Sequence, residues 1–298
     1  SRAVGTRQRG VMSERTTWRD VLADAAIRLA NPNEARWLCE HASGLDGTDF
    51  AAALDEIPTT AMMAALDSML MRRLGGEPVQ YVMSRWAFRH LDLFVDKRVL
   101  IPRPETELAV DHALERIAEV SGPVRVVDLG TGSGAIGLAI ASESYPREVE
   151  VWLTDNSSDV LDVARANVST LGRHGSRVKI AKGSWWSALP IDLAGTIDVA
   201  VCNPPYIAIG DPEVETAVTE WEPHSALFAA DDGLADLHSV IVGAPQWLRI
   251  GGSLVLEIGH RQATRVMDAM RAAGFIDVVT HRDLAGRDRF VVGRFSTR

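Results

Sequence analysis

Four consecutive residues, Asn203-Pro204-Pro205-Tyr206, place an amide oxygen, two residues without N–H donors and an aromatic ring side by side. The two prolines hold the chain extended and leave its carbonyls free to accept. An Asn oxygen plus a neighbouring carbonyl can accept both hydrogens of a planar NH2 group. A Tyr ring can stack on the flat system that carries it. Asn203, Pro204, Pro205 and Tyr206 are therefore the candidate substrate-holding residues, with Asn203, Pro204 and Tyr206 as the catalytic set. A second group, Asp128-Leu129-Gly130-Thr131-Gly132-Ser133-Gly134-Ala135, follows an apolar run. Glycines at such a place let a ligand approach the backbone and expose amide N–H groups at a helix start. A dinucleotide site wants G-x-G-x-x-G. Here the spacing is G-x-G-x-G, and Ala135 stands where the third dinucleotide glycine would be. Asp128 beside the loop would repel a pyrophosphate and attract an ammonium, which suits a cationic or zwitterionic ligand. Asp155, 25 residues after Gly130, can accept hydrogen bonds from two ribose hydroxyls. The three groups describe a nucleoside-bearing ligand beside a pair of acceptors for an NH2 group.

These motifs need a rigid frame, and the pattern after residue 124 provides one. Apolar runs over 124–129, 148–155, 177–181, 197–202 and 253–258 read as strands. Helical periodicity covers 135–143, 158–171, 234–248 and 261–273, and 276–280 with 290–295 reads as a closing antiparallel pair. Such alternation predicts an α/β fold, a Rossmann-like, mostly parallel sheet with helices on both faces. Each chemical motif then falls at the carboxyl end of a strand.

The first ninety residues read differently. Thr17 can cap a helix to Leu29, Pro32 opens a second that ends near Gly44, and Thr48 opens a short third. Thr59 or Thr60 caps a fourth, with Met62, Met63, Leu66, Met69 and Leu70 expected in the core. Tyr81-Val82, Trp86–Phe88, Leu91–Val95 and Val99–Ile101 suit short strands. The expected organisation is a leader or tag over 1–15, a helical domain over 16–79, a hairpin linker over 80–101, and the α/β domain over 102–298.

Composition narrows the partners. The 298 residues are 46% hydrophobic and 24% charged, which excludes a disordered or fibrous chain. Acidic residues outnumber basic ones, 40 to 31. The net charge of −9 falls entirely after residue 90 and argues against stable nucleic-acid binding. Cys39 and Cys202 form no CxxC pair, so a reducing cytoplasm is the simpler setting. No apolar run approaches the ~20 residues of a membrane span, and no apolar segment follows the basic start as in a secretory signal. The eight histidines lack metal-ligand spacing, so no metal is expected.

The motifs together resemble class I S-adenosylmethionine-dependent methyltransferases that act on planar nitrogens. With IPRPETE (101–107), GSWWSAL (183–189) and EPHSALFAADDGL (222–234) in order, the chain over residues 16–298 resembles the peptide chain release factor N5-glutamine methyltransferases, the PrmC/HemK family. The family loop often reads GTGTG, and Ser133 keeps a hydroxyl there. The resemblance implies S-adenosyl-L-methionine as methyl donor, S-adenosyl-L-homocysteine as product, and a glutamine in the GGQ-type loop of release factors as substrate. It implies that Asp128 and Gly130, Thr131, Gly132, Ser133 and Gly134 surround the methionine part of the cofactor. Asp155 then holds the ribose, Trp185 lies against the adenine with Trp186 as its neighbour, and Asn203 lies near the methyl donor. Arg103 and Thr106 are brought to the cofactor mouth. Two other readings stay open: an adenine-N6 DNA or amino-group RNA methyltransferase, and a non-catalytic cofactor-binding subunit.

Overall fold

The computed structural model describes residues 16–212 and 216–296, so the leader expected over 1–15 lies outside the described residues. The chain divides into two compact units between Met83 and Ser84.

The first unit is helical: α1 (Trp18–Leu29), α2 (Pro32–Ser43), α3 (Gly47–Ala52), α4 (Thr60–Leu74) and α5 (Val79–Met83). Local chemistry sets the ends. Thr17 N–H donates to Asp20 Oδ2 at 3.0 Å, the Asn31 side chain accepts from Asn33 and Glu34 N–H at 3.2 Å each, and Thr59 Oγ1 accepts from Met62 N–H at 3.2 Å. Trp18 and Phe50 meet edge to face at 5.6 Å, beside buried Leu38, Leu66, Met69 and Leu70. Met62 and Met63 are only half-buried, so the apolar stripe of α4 is narrower than expected. The third helix starts at Gly47, with Asp46 in the cap position, one residue before the expected opening. Tyr81-Val82 is helical, not a strand. All but one residue of this five-residue helix is buried, which erases the periodicity that would reveal it.

The second unit begins with an antiparallel hairpin, β1 (Trp86–Phe88) and β2 (Leu91–Leu93), while 99–101 forms no strand. The residue that follows the hairpin is fastened to the rest of this unit. Asn167, fully buried, accepts from Phe94 N–H at 2.7 Å and donates to the Phe94 carbonyl at 3.0 Å and the Ser133 carbonyl at 2.8 Å. Then come α6 (Glu107–Glu119), β3 (Val124–Leu129), α7 (Ala135–Glu143), β4 (Val149–Asp155), α8 (Ser158–Thr170), β5 (Val178–Lys182) and β6 (Ile197–Cys202). A small parallel pair, β7 (Ile207–Ala208) and β8 (Phe228–Ala229), brackets the short helices α9 (Thr216–Trp221) and α10 (His224–Leu227). The chain continues through α11 (Ala230–Gly233), α12 (Ala235–Trp247), β9 (Leu248–Glu257), α13 (Ala263–Ala272), β10 (Phe275–Arg282) and β11 (Asp288–Phe295).

Seven strands form one sheet in the order β10-β11-β9-β6-β3-β4-β5. The five from β9 to β5 are parallel, and β11 and β10 close the edge antiparallel. Every residue of β6 is buried, and so are five of the six in β3. Strands covered on both faces by helices must be apolar throughout, which is why these runs show no alternation. The chain runs outward from β3 through β4 to β5, then returns to β6 on the other side of β3. The crevice at this reversal of strand order, outside the carboxyl ends, is where open α/β sheets bind ligands.

Candidate active site

The loops after β3 and β6 leave the sheet on either side of that reversal. Gly130, Gly132 and Gly134 all adopt positive φ (70, 57 and 89°), a path costly for any residue with a Cβ. A Cβ on Gly130 would lie 3.0 Å from the Trp185 ring, so the loop and that indole form a close-fitting wall. They line a cavity of about 430 Å³ together with Thr131, Ser133, Asp155, Thr106 and Asn203. Asp155, at the end of β4, accepts from Gly132 N–H at 3.3 Å and from Ser157 N–H at 3.0 Å. Burial raises its pKa above the usual carboxylate value, and the backbone donors partly offset this.

The two tryptophans separate cleanly. Trp185 (φ 48°) faces the cavity and its side chain donates to Asp236. Trp186 is a core residue, 4% exposed, stacked on Trp247 at 6.5 Å and donating to the Val240 carbonyl at 2.8 Å. Two residues expected to face the ligand do not line the cavity. Asp128 lies behind the loop, where its Oδ2 accepts from Thr131 Oγ1 at 2.6 Å and Gly137 N–H at 3.0 Å. Burial pushes its pKa up to about 6, and its Oδ1 is buried without a partner. Gly134 turns the chain into α7, and a Cβ there would meet Leu138 at 2.9 Å, on the core side.

A second cavity, about 570 Å³, adjoins the first. Pro204 and Tyr206 line it, Pro205 lines the first, and Asn203 lines both. The diproline segment thus acts as a partition between the two, and Asn203 borders both. Arg103 belongs to the second cavity, not to the mouth of the first. Its guanidinium is engaged by Glu222 at 2.6 Å, and Glu222, 5% exposed, also accepts from Ile101 N–H at 3.1 Å. Two segments 119 residues apart are clasped there.

Behind the partition lies a residue the sequence reading passed over. Glu257, at the end of β9 and 1% exposed, accepts from Thr106 Oγ1 at 2.8 Å and Tyr206 Oη at 3.2 Å. Asn203 Nδ2 donates to the same Thr106 oxygen at 3.4 Å. The signal available was a lone acid closing the otherwise apolar run Ser253–Ile258. Gln262 completes the support by donating to the Tyr206 carbonyl at 2.9 Å and the Asp232 carbonyl at 3.1 Å. Among the described residues no group of three or more His, Cys, Asp or Glu is placed to bind a metal, and no helix is long and apolar enough to cross a membrane.

Comparison with known proteins bears on the fold and the family. The hMettl16 catalytic domain, solved in complex with MAT2A 3'UTR hairpin 1, shares the fold with a TM-score of 0.56 at 15% identity, over 78% of this chain and 80% of that one. The fold is that of the class I methyltransferases. Residues 15–83 match the model of the PrmC N-terminal domain, and 109–221 that of the methyltransferase small domain. A release factor glutamine methyltransferase of Xylella fastidiosa (strain Temecula1 / ATCC 700964) is 40% identical over 272 residues, 91% of this chain and 92% of that protein. That of Escherichia coli (strain K12) is 38% identical over 277 residues, 93% and 97% of the two chains. The chain belongs to the release factor glutamine methyltransferase family.

Proposed function

We propose that the protein transfers a methyl group from S-adenosyl-L-methionine to the side-chain amide nitrogen of a glutamine in a peptide chain release factor, in the cytoplasm. The observation that carries this reading is the position of Asn203, which borders both cavities. The first cavity fits the methyl donor. Its glycine wall admits close backbone approach, Asp155 is available to ribose hydroxyls, and the Trp185 ring offers a face to the adenine.

The bound donor supplies an electrophilic methyl on a sulfonium, and its sulfur keeps the C–S bonding pair as the product thioether. The remaining task is to make a poor nucleophile attack, because an amide lone pair is delocalised into its carbonyl. Asn203 Oδ1 and the Pro204 carbonyl accept the two N–H hydrogens and so hold the nitrogen between the two cavities. Their partial negative charge favours the nitrogen as it becomes positive. The methylated nitrogen is strongly acidic, so it gives its proton to water without a dedicated base. The Tyr206 ring packs against the planar amide.

Methyl incorporation measured side by side into release factor, DNA and RNA tests the substrate class. Label in release factor alone supports the reading, and label in nucleic acid alone overturns it. Asp155→Ala should weaken cofactor binding by ~10- to 100-fold, because charge-assisted hydrogen bonds contribute ~1.5–3 kcal/mol each and do not add. Calorimetry showing unchanged affinity would remove Asp155 from the site.

The helical unit is assigned the recognition of the protein substrate, since every cofactor motif lies beyond residue 100. The cut belongs after residue 83, because the hairpin falls in the second unit and Phe94, directly after it, is bonded to Asn167. A chain lacking 1–83 should bind cofactor normally but lose more than about tenfold in kcat/KM on release factor, or ~1.4 kcal/mol of substrate binding. Equal kcat/KM for the two chains defeats the assignment.

A further inference from the structure

We propose that Glu257 is a positioning residue that, acting through the Thr106 hydroxyl, decides which end of the Asn203 amide faces the second cavity. The inference rests on the reading of Asn203 as the acceptor for the substrate amide. A hydroxyl carries one proton. The Thr106 proton is directed to Glu257 Oε2 at 2.8 Å, which leaves only lone pairs toward Asn203. Asn203 must then offer its NH2 to Thr106, as it does at 3.4 Å, and its Oδ1 is left for the substrate. Tyr206 is fixed by the same logic. Arg289 Nη1 donates to its hydroxyl oxygen at 3.3 Å, so the phenol proton goes to Glu257 Oε1 at 3.2 Å. One carboxylate thus sets the hydrogen-bond polarity on both sides of the diproline segment.

An ionised Glu257 can only accept, so both hydroxyls must donate to it. A protonated Glu257 can donate to Thr106. The Thr106 proton then turns to Asn203, the amide inverts, and its NH2 confronts the substrate NH2. The groups facing Glu257 are the Thr106 and Tyr206 hydroxyls, the Arg289 guanidinium, the Glu105 carboxylate and the neutral Cys202 thiol. Arg289 is itself paired with Asp283 at 3.5 Å. Burial outweighs the hydroxyl donors and Arg289 and pushes Glu257 up to about 7. The active, ionised form is therefore lost as pH falls through about 7.

The test measures kcat, KM and their pH profiles for wild type, Glu257→Gln, Thr106→Val and Thr106→Ser. It also follows the Asn203 side-chain amide signal by NMR, assigned by its absence from Asn203→Asp. Wild-type kcat should rise with pH through about 7, and the Asn203 signal should shift over the same range. Glu257→Gln should lose both steps and ~10- to 100-fold in kcat, with KM for the cofactor nearly unchanged. Thr106→Val should lose activity and Thr106→Ser should recover it, a pair that decides the matter if Glu257→Gln fails to fold. The proposal is overturned if Glu257→Gln keeps wild-type kcat and pH dependence, if Thr106→Val equals Thr106→Ser, or if the Asn203 signal does not titrate. A wild-type enzyme inactive on release factor would sink the functional reading instead, and the Asn203 signal would still decide the orientation.

Discussion

Replacing Asn203 by Asp is expected to lower kcat by ~10- to 1000-fold, the range found when one polar group of an electrostatic site is altered. The change is nearly isosteric, so sterics are not the cause. It removes the Nδ2 donor that meets Thr106 Oγ1 at 3.4 Å. Thr106 has one proton, already given to Glu257, so the new carboxylate faces lone pairs instead of a donor. The added charge also sits near a sulfonium and stabilises it before the reaction, where stabilisation does not help the rate. Cofactor affinity should be unchanged or slightly tighter. A kcat within a factor of two of wild type, or a loss confined to cofactor binding, would show that Asn203 does not hold the substrate amide.

Gly233→Ala should cost ~100-fold in kcat although Gly233 lines neither cavity, because ~1 Å of misplacement at a reacting group can cost that much. Gly233 has φ 81°, and Asp231 and Asp232 before it are also left-handed (φ 54° and 55°). The backbone strain of an alanine there is only ~1–2 kcal/mol. The contact decides the outcome. A Cβ would lie 2.1 Å from the Tyr206 carbonyl oxygen and 2.7 Å from its carbon. That carbonyl is pinned by Gln262 at 2.9 Å, and Tyr206 directly follows two prolines whose fixed φ leaves little freedom to absorb the shift. The displacement is therefore passed to Asn203. The first cavity is lined by neither Gly233 nor Tyr206, so calorimetry should find cofactor affinity within about threefold of wild type. Normal kcat in a folded Gly233→Ala enzyme would mean the diproline segment is not held from this side.

Much of this was legible in the sequence because the relevant signals are local. Buried parallel strands must be unbroken apolar runs, and the ligand-facing loops must start where those runs end. That logic located Gly130–Ser133, Asp155 and Asn203–Tyr206 beside one crevice. It failed where function depends on partners remote in the chain. Arg103 is read correctly only once Glu222 is known to clasp it, and Glu257 is silent until the sheet brings β9 beside β6. Asp128 looked like a ligand group because nothing in a sequence says that Thr131 and Gly137 would enclose it. Which of Trp185 and Trp186 turns inward depends on partners remote in the chain, since it is Trp186 that stacks on Trp247 and donates to the Val240 carbonyl.

Tandem mass spectrometry of a purified release factor incubated with this protein and S-adenosyl-L-methionine tests the central claim most directly. The expected result is the mass of one added methyl group, localised to the side chain of a single glutamine, and its absence when Asn203→Asp replaces the wild type. Methylation on a different residue type, or an unmodified release factor beside methylated adenine in a parallel nucleic-acid incubation, would contradict the account.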